Sequence, residues 1–561
     1  MAVVRAAGPF GRARRRLRNL ARPTAVVTGP PAGVRFHQDV EVVVRDGTVL
    51  RVNVFRPEVD DEPRPVLMSA HPYGKDYLPR RGRTGYRPFP NLRVLPQSTA
   101  FTISAWTGWE APDPGYWVGA GYVVINADLR GWGRSEGAGD LFSPQDGIDY
   151  HDLIEWAAAQ PWCTGRVGLT GVSYLAVSQW AAAATRPPHL AAICPWEGFT
   201  SLWDIARPGG VREDGLMVVW TRGTRRSRPD NQVDLRAQQR ARVLHDHWWA
   251  ERDQQLDRID VPALVCASFS DHGLHSRGSF EGFAGISSEH KWLYTHRGPK
   301  WAEYYGEQGV LAQRRFFDTF LKGADTGQFD VPPVRLEVRS DADTITSVRD
   351  EHAWPPIATV WERWKLHPDG RLDPTVPIRG SRSLRTRSSR GIRLQHQFGE
   401  DTEIVGPMRL HLPLSLAGSG DACLFIGVHK ARNGRRIEFE NAYGFRGSLI
   451  THGIRRVSHH VPGADGRPRD DIAQALAPGQ IVPVEIDLLP SATLFEAGSE
   501  LQLEIRGRWF YGRNPLTGQF PAYYERSARG RCTIHLGPES GAWLEVPLQP
   551  QPPRTIIAAK S

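Results

Sequence analysis

The stretch Gly168-Leu-Thr-Gly171-Val-Ser173-Tyr174-Leu-Ala176 carries the strongest local signal of the fold in this sequence. An apolar strand leads into a tight turn around Ser173, and an alanine-rich helical run follows as far as Thr185. A serine on such a strand-to-helix turn points its hydroxyl out of the sheet edge, where the helix N-terminus favours negative charge. The position two after the serine is Leu175 rather than the usual glycine, so a simple helix N-cap serine is the alternative interpretation.

The segments around this turn predict a mainly parallel sheet. Short apolar runs alternate with helical lengths of chain, which is typical of parallel strands covered by helices on both faces. Two further apolar runs around Asp46-Gly47 predict a β-hairpin ahead of them. The predicted strands of the sheet are residues 66–70, 122–126, 167–170, 190–194, 262–266 and 291–295.

The strand rhythm stops between about residues 198 and 258, where a polar, Arg-rich and Trp-bearing stretch predicts an inserted helical cap. A break at Asp330-Val-Pro-Pro333 ends the α/β pattern, and short alternating strands spaced by Gly, Pro and Asp follow. We therefore predict an Arg-rich tail without fixed structure over 1–34, an α/β domain over 35–330 and an all-β domain over 331–561.

Length, charge and cysteine content narrow the class of protein. The 561 residues suffice for two or three domains with large cores. The net charge of +9 includes seven arginines within residues 1–22, so the rest is nearly neutral and the folded body is not expected to bind nucleic acid. No apolar run reaches about 18 residues, so no membrane-spanning helix is predicted. Five scattered cysteines without a C-x-x-C pair are typical of a reducing compartment, so a cytoplasmic location is expected.

The order of polar residues after later strands predicts a serine nucleophile with an acid and a base. Asp271 follows one predicted strand and His296 the next, which is the order Ser, Asp, His of the α/β-hydrolase pattern. In this scheme His296 takes the proton of Ser173, and activity rises as the imidazole loses its own proton near pH ~6.5. Alternatives for the base are His272, His275 and His290, and an alternative for the acid is Asp128.

Several separate segments together resemble the cocaine-esterase family, also called CocE/NonD, which includes relatives of X-Pro dipeptidyl-peptidases. They are Asp128-Leu-Arg-Gly131, Ala158-Ala-Gln-Pro-Trp162 with Gly165-Arg-Val-Gly168, Gly171-Val-Ser173-Tyr174, Glu403-Ile-Val-Gly-Pro407 and Phe495-Glu-Ala-Gly498. The resemblance runs from about residue 37 to 550. It implies an α/β-hydrolase domain with a cap, a jelly-roll domain of galactose-binding-like shape, and the same three catalytic residues. The family's glycine three positions after the serine is Ala176 here.

The resemblance also implies an oxyanion hole made by a tyrosine hydroxyl and the amide after the serine. In this sequence these are Tyr73, in His71-Pro-Tyr73-Gly-Lys75, and the backbone N–H of Tyr174. No cofactor or metal is expected, since His245-Asp246-His247 lacks a third ligand in view and is better explained as an exposed cap helix. Aromatic residues near the start of the cap predict an apolar acyl pocket, with ordinary core packing as the alternative; they are Trp196, Phe199 and Trp203.

Three functions fit these residues. The first is a serine hydrolase that cleaves a small-molecule ester or activated amide through an acyl-enzyme. The second is an aminopeptidase of the X-Pro dipeptidyl type, which needs acids to hold the substrate's α-ammonium group; Glu213-Asp214 is the nearest candidate. The third is an inert binding protein. The oligomeric state stays open, a homodimer included.

Overall fold

The computed structural model describes residues 17–59, 62–95, 97, 99–224, 233–512, 522–539 and 541–550. Strands of the N-terminal part are β1 Ala25–Val27, β2 Val34–Val43, β3 Val49–Pro57, β4 Arg64–His71, β5 Arg80–Gly82, β6 Gly85–Arg87, β7 Phe101–Ile103, β8 Val123–Asp128, β9 Cys163–Val172, β10 Leu190–Trp196, β11 Ala263–Ser268 and β12 Lys291–His296. The helices are α1 Pro90–Val94, α2 Pro114–Trp117, α3 Pro144–Ala158, α4 Tyr174–Ala184, α5 Leu202–Ala206, α6 Leu216–Thr224, α7 Leu235–Ala241, α8 His247–Ala250, α9 Ser276–Gly285, α10 Lys300–Tyr304 and α11 Glu307–Lys322.

The N-terminal strands form one twisted sheet in the order β2, β3, β8, β4, β9, β10, β11, β12. The first three pair antiparallel and the others pair parallel, so the predicted hairpin and parallel sheet are confirmed. The central strands are buried along their whole length, because helices cover both faces. Helices α3 and α4 pack on one face and α11 on the other, as apolar residues on both sides of each strand require.

In its described residues, the segment predicted as a cap contains four short α-helices, α5 to α8, between strands β10 and β11. Its helix α6 begins after Glu213, whose carboxylate accepts the amides of Gly215, Leu216 and Met217. These bonds replace the intrahelical partners that the first amides of a helix lack. Helix α6 of the cap therefore has a fixed start.

The C-terminal part consists of strands, as predicted. They are β13 Val334–Arg339, β14 Ile345–Glu351, β15 Val360–Leu366, β16 Leu372–Asp373, β17 Gly380–Arg385, β18 Ile392–Gln397, β19 Thr402–Ala417, β20 Cys423–Arg432, β21 Arg435–Arg436, β22 Phe439–Glu440, β23 Arg446–Gly447, β24 Leu449–Arg456, β25 Ile481–Phe495, β26 Ser499–Arg506, β27 Arg531–Leu536 and β28 Trp543–Leu548. One antiparallel sheet is built around β19, which pairs with β25, β27 and β28, and a second joins β18, β26, β20 and β24. Apolar side chains of both sheets form one core between them.

The N-terminal sheet continues into the C-terminal part. Strand β13 pairs parallel with β12 and antiparallel with β14, so the two parts share a sheet edge. Val334, Leu336 and Val338 belong to the same apolar core as the nucleophile helix. The predicted break near residue 330 is therefore a change of pattern along one continuous sheet.

The described residues also bear on the predicted tail, the cysteines and the length of the helices. The tail predicted over 1–34 is too long, because Ala25–Val27 adds parallel to β7 as an extra strand and the Asn19 amide donates to two carbonyls of α1; residues 1–16 lie outside the described part. All five cysteines are buried thiols. Among the described helices none is long and apolar enough to cross a bilayer.

Candidate active site

Ser173 occupies a strained turn between β9 and α4. Its backbone has φ 65° and ψ −118°, a left-handed region that costs a residue with a Cβ atom on the order of 1–3 kcal/mol. Gly171 makes the turn feasible, since a Cβ there would lie 2.5 Å from the Cβ of Leu175. The methyl group of Ala176 fits because Gly198 faces it, where a Cβ would come within 2.8 Å. The strand-to-helix turn predicted from the sequence is thus present, with a compensating glycine on the neighbouring strand's loop.

The imidazole that reaches the serine belongs to His275. Its Nε2 lies 3.0 Å from Ser173 Oγ, and the ring stacks on Phe199 with a centroid distance of 5.9 Å. Burial, with a further contribution from the charge of Lys300, holds the pKa of His275 well below its usual value, so the ring is neutral. A neutral ring protonated at Nδ1 presents a lone pair at Nε2 to the serine hydroxyl. Nδ1 itself is buried and has no hydrogen-bond partner within the described residues.

His296 is not at the serine, which corrects its predicted role as the base. Its Nε2 lies 3.1 Å from Glu197 Oε1, and its Nδ1 accepts the amide of Gly298. Burial lowers the pKa of His296, but the hydrogen bond and charge of Glu197 outweigh this effect and raise it. Both ring nitrogens are therefore occupied, Nε2 by the buried Glu197 and Nδ1 by the Gly298 amide, and no lone pair is left for Ser173.

Asp271 lies beside the site but does not contact the His275 ring in the structure. Its carboxylate accepts from Lys300 Nζ at 2.8 Å, and both side chains are almost completely buried. Burial raises the pKa of Asp271 to about 6, although Lys300 opposes the shift. The main chain of Asp271 matters more directly, because its carbonyl accepts the amides of Leu274, His275 and Ser276 and so fixes the turn that presents the imidazole.

The tyrosine predicted for the oxyanion hole lies at the nucleophile. The Tyr73 hydroxyl lies close to Ser173 and receives a hydrogen bond from Trp220 Nε1 at 3.3 Å. Tyr174 is the first residue of α4, so its N–H has no partner within the helix. Its own hydroxyl donates to Asp146 at 2.5 Å, which holds the side chain away from the serine.

A second carboxyl, that of Glu110, lies against this tyrosine. Glu110 is buried, its Oε1 accepts from Trp301 Nε1 at 3.0 Å, and its carboxyl lies close to the Tyr73 hydroxyl. Burial raises its pKa to about 7, and Lys300 limits the increase. Glu110 and Glu197, like Ser173, have positive φ without being glycine. Strained residues of this kind collect at functional sites, so their clustering here supports the location of the site.

Of the three predicted pocket aromatics only Phe199 is near the catalytic pair. Trp196 is fully buried on the opposite face of the sheet against Tyr294 and Tyr304, which corrects its assignment. Trp203 packs on Trp249 within the cap and is also a core residue. The aromatic rings that surround the serine and its tyrosine are instead Phe142, Tyr174, Phe199 and Trp220, in contact with one another.

A small cavity of about 50 Å³, open to solvent, lies next to the catalytic loop. Asp271 to Leu274 form one wall, and the C-terminal strands and their loops form much of the rest. The loop around Ala442 is fastened to the catalytic part by two backbone bonds, to Ser270 and to Lys300. The walls also contain Leu216 from the cap, so three parts of the chain meet at this cavity.

The remaining candidate residues have structural partners. Asp128 accepts the amides of Lys75 and Arg134 and fixes a turn, so it does not serve as the triad acid. His245 pairs with Asp253, and His247 with Glu251. Within the described part of the chain no group of three His, Cys, Asp or Glu side chains is arranged to hold a metal ion.

Comparison with known proteins identifies the family. Residues 46–299 match the family model of the X-Pro dipeptidyl-peptidase (S15 family), and residues 328–544 match that of the X-Pro dipeptidyl-peptidase C-terminal non-catalytic domain. A solved CocE/NonD family hydrolase from Staphylococcus aureus is 34% identical, with a TM-score of 0.85 over 92% of this chain and 93% of that one. The chain belongs to the CocE/NonD family of hydrolases.

Two curated relatives of this CocE/NonD hydrolase differ in the substrates that their names state. The cocaine esterase of Rhodococcus sp. is 24% identical over 91% of this chain and 98% of its own length. A protein from Bacillus anthracis provisionally described as an Xaa-Pro dipeptidyl-peptidase is 26% identical over 58% of this chain and 57% of its own length. The enzyme is a serine hydrolase, and both substrate classes occur among its relatives.

Proposed function

We propose that this enzyme is a carboxylesterase-like serine hydrolase in which Ser173 is the nucleophile and His275 the general base. The observation that carries this assignment is the 3.0 Å contact between His275 Nε2 and Ser173 Oγ at the strained turn. Ser173 Oγ attacks the acyl carbon while its proton passes to His275 Nε2. The tetrahedral intermediate collapses as the C–O bond of the ester breaks, and the imidazolium returns the proton to the departing alkoxide.

Deacylation repeats the same transfers with water. The water oxygen attacks the acyl carbon of the ester formed with Ser173, and His275 accepts its proton. The acid product leaves when the bond to Ser173 Oγ breaks and the proton returns to that oxygen. In both halves the negative oxygen of the intermediate receives hydrogen bonds from the Tyr73 hydroxyl and the Tyr174 amide, each aimed at charge that is largest in the transition state.

The partners of the acids in the cap favour an ester over a dipeptide with a free N-terminus. Glu213 uses both oxygens on backbone amides, and Asp214 is paired with Arg212 and Arg236. A carboxylate already satisfied in this way offers little to a substrate ammonium. The ring cluster of Phe142, Phe199 and Trp220 beside the serine suits an aromatic or other apolar acyl group.

The C-terminal domain supplies a wall of the cavity in this proposal. Tyr443 and Trp509 line the cavity opposite the catalytic loop. We infer a jelly-roll arrangement for its two sheets, with a role in shaping the substrate site rather than in binding sugar. Its support is the shared sheet edge and the backbone bonds at Ala442.

Covalent labelling with a fluorophosphonate, read by intact mass, tests the nucleophile and the base. We expect one adduct on the wild type, none on Ser173→Ala and greatly slowed labelling of His275→Gln. An unlabelled, folded wild type would overturn the proposal in favour of an inert binding protein.

Substrate preference is tested by comparing p-nitrophenyl benzoate, p-nitrophenyl acetate and an Xaa-Pro p-nitroanilide. Faster release from the benzoate supports an aromatic acyl pocket. Equal rates or faster acetate cleavage would contradict that pocket, and preferential cleavage of the anilide would establish the dipeptidyl-peptidase alternative.

A further inference from the structure

A tryptophan of the cap holds the hydroxyl group that faces the nucleophile. Trp220 lies on α6, and its indole N–H donates to the Tyr73 oxygen at 3.3 Å. The indole is stacked parallel to the Tyr174 ring at a centroid distance of 6.2 Å and is tilted against Phe142 at 5.5 Å. Because two rings fix the plane of the indole, its N–H has a defined direction.

The hydrogen bond from Trp220 limits the directions in which the Tyr73 hydroxyl can donate its proton. A phenol oxygen has one proton to donate, and the hydrogen bond from Trp220 occupies an acceptor position on it. A hydroxyl that already accepts one bond is polarised and donates a stronger one. Two groups close to the Tyr73 hydroxyl can accept its hydrogen bond: the oxyanion that forms at Ser173 and the carboxyl of Glu110. Anchoring the phenol oxygen favours the geometry in which the proton can reach the oxyanion.

The helix that carries Trp220 is fastened at its start. The Glu213 carboxylate accepts the amides of Gly215, Leu216 and Met217 at the start of the helix. It also accepts the amide of Tyr523 from the C-terminal domain at 3.2 Å. The amide of Asp214 donates to the carbonyl of Tyr523 at 2.6 Å, and Glu213 forms a β-bridge with Tyr524. The segment that leads into the cap helix and the C-terminal domain are therefore joined six residues before Trp220.

A second pair of bonds repeats this connection. Glu525 donates its amide to the carbonyl of Arg212 and accepts the amide of Arg212 on its carboxylate, each at 2.9 Å. Glu525 also pairs with Arg456 on β24. The C-terminal domain thus holds the strand-like segment that leads into α6.

We propose that Trp220 is a positioning residue of the oxyanion hole, which acts through Tyr73 and is itself held in place by the C-terminal segment around Tyr523 and Glu525. This inference rests on the proposed function, because it assigns Tyr73 to the oxyanion. It gives the non-catalytic domain a part in catalysis without any contact to substrate.

A double-mutant cycle with Trp220→Phe and Tyr73→Phe tests the proposal, with kcat, KM and the rate of fluorophosphonate labelling as readouts. Phenylalanine keeps much of the ring packing and removes the N–H. We expect Trp220→Phe to lower kcat and the labelling rate by about 3- to 10-fold, the effect of one hydrogen bond, with little change in KM. In the Tyr73→Phe background the same substitution should cause no further loss, since the group through which it acts is gone.

The matched control is Trp248→Phe, a cap tryptophan that meets Trp249 edge to face and lies under the Arg252 guanidinium. It should leave kcat and labelling unchanged in both backgrounds. An equal loss from Trp220→Phe with and without the Tyr73 hydroxyl would overturn the proposal, and so would no loss at all in a folded variant. Glu525→Gln should show the same dependence on Tyr73; a loss that persists without the hydroxyl would remove the C-terminal segment from the scheme. A wild type that takes up no label would instead refute the proposed function.

Discussion

At the residue scale, the sequence pattern predicts His296 as the base, whereas the structure has two buried histidines with different partners and different roles. His275 has one nitrogen on Ser173 and the other unpaired, whereas His296 has both nitrogens occupied, one of them by Glu197. The first arrangement allows a proton to move, and the second stabilises a buried carboxylate. Their removal should therefore have opposite effects on activity and on stability.

We predict that His275→Gln lowers kcat by roughly 10²–10⁴-fold with a small change in melting temperature, because a general base is lost and no ion pair is broken. His296→Gln should keep kcat of the folded protein within about 10-fold while lowering the melting temperature, since breaking a buried pair costs about 3–5 kcal/mol. Steady-state kinetics with thermal melts of both variants measure this. The reverse pattern would restore His296 as the base.

The pH dependence of activity near neutrality should come from the ionisation of Glu110 and not from that of His275. Burial keeps the pKa of His275 far below 6.5, so its protonation does not limit activity near neutrality. Burial raises the pKa of Glu110 to about 7; Trp301 donates a hydrogen bond to its carboxyl, and the Tyr73 hydroxyl lies close to it. The charged or titratable groups around it are Tyr73, Asp271, Lys300, Tyr305 and Tyr443.

Ionised Glu110 draws the Tyr73 proton away from the oxyanion and adds like charge beside it. The expected result is that kcat/KM of the wild type falls by about 10-fold as pH rises through 7, less than the ~10²–10³-fold cost of removing an oxyanion donor. Glu110→Gln, which keeps hydrogen bonding without ionising, should flatten this decline. A profile that rises through pH 6.5 to 7 in both proteins would contradict this origin.

At the element scale, the elbow depends on a pair of small residues on neighbouring segments. The methyl group of Ala176 on α4 occupies space that Gly198 leaves open. Gly198→Ala should destabilise the fold by about 1–3 kcal/mol through overpacking, and adding Ala176→Gly should recover most of the loss. Urea unfolding of the single and double variants measures the coupling.

Gly223→Ala is the matched control for this prediction. That glycine lies on α6, and a Cβ built there meets no atom within 4 Å. Alanine should therefore be neutral or stabilise the helix by about 0.5–1 kcal/mol. Additive effects of Gly198→Ala and Ala176→Gly would show that the two positions do not share this space.

At the scale of the whole molecule, the catalytic part does not have a complete core of its own. Strand β13 covers the edge of β12, and Val334, Leu336 and Val338 lie in the apolar core of the catalytic part. A chain ended after residue 330 would expose that edge and remove those side chains. We expect it to be insoluble or unlabelled by a fluorophosphonate, as judged by soluble yield and intact mass. A soluble fragment labelled at the rate of the full chain would contradict this dependence.

Local pattern was enough to predict the sheet and the nucleophile. Continuous apolar runs separated by helical lengths specify parallel strands, and the turn at Ser173 needs only residues within a few positions of it. The same holds for the strand-rich C-terminal part, in which alternation and turn residues are local signals. The position of Tyr73 beside the serine came from family resemblance, because its loop is a hundred residues away along the chain.

The sequence by itself determined the elements and the order of the polar residues after them, because both depend on neighbours along the chain. Only the tertiary structure decided which imidazole faces Ser173, since His275 and His296 both follow strands at the same sheet edge and their choice depends on Glu197, a residue about a hundred positions from His296. It also decided that Trp196 and Trp203 are core residues and that Trp220 reaches Tyr73. Packing between distant segments sets the side of the sheet on which a side chain lies and the direction in which an N–H points, and no local pattern records that packing.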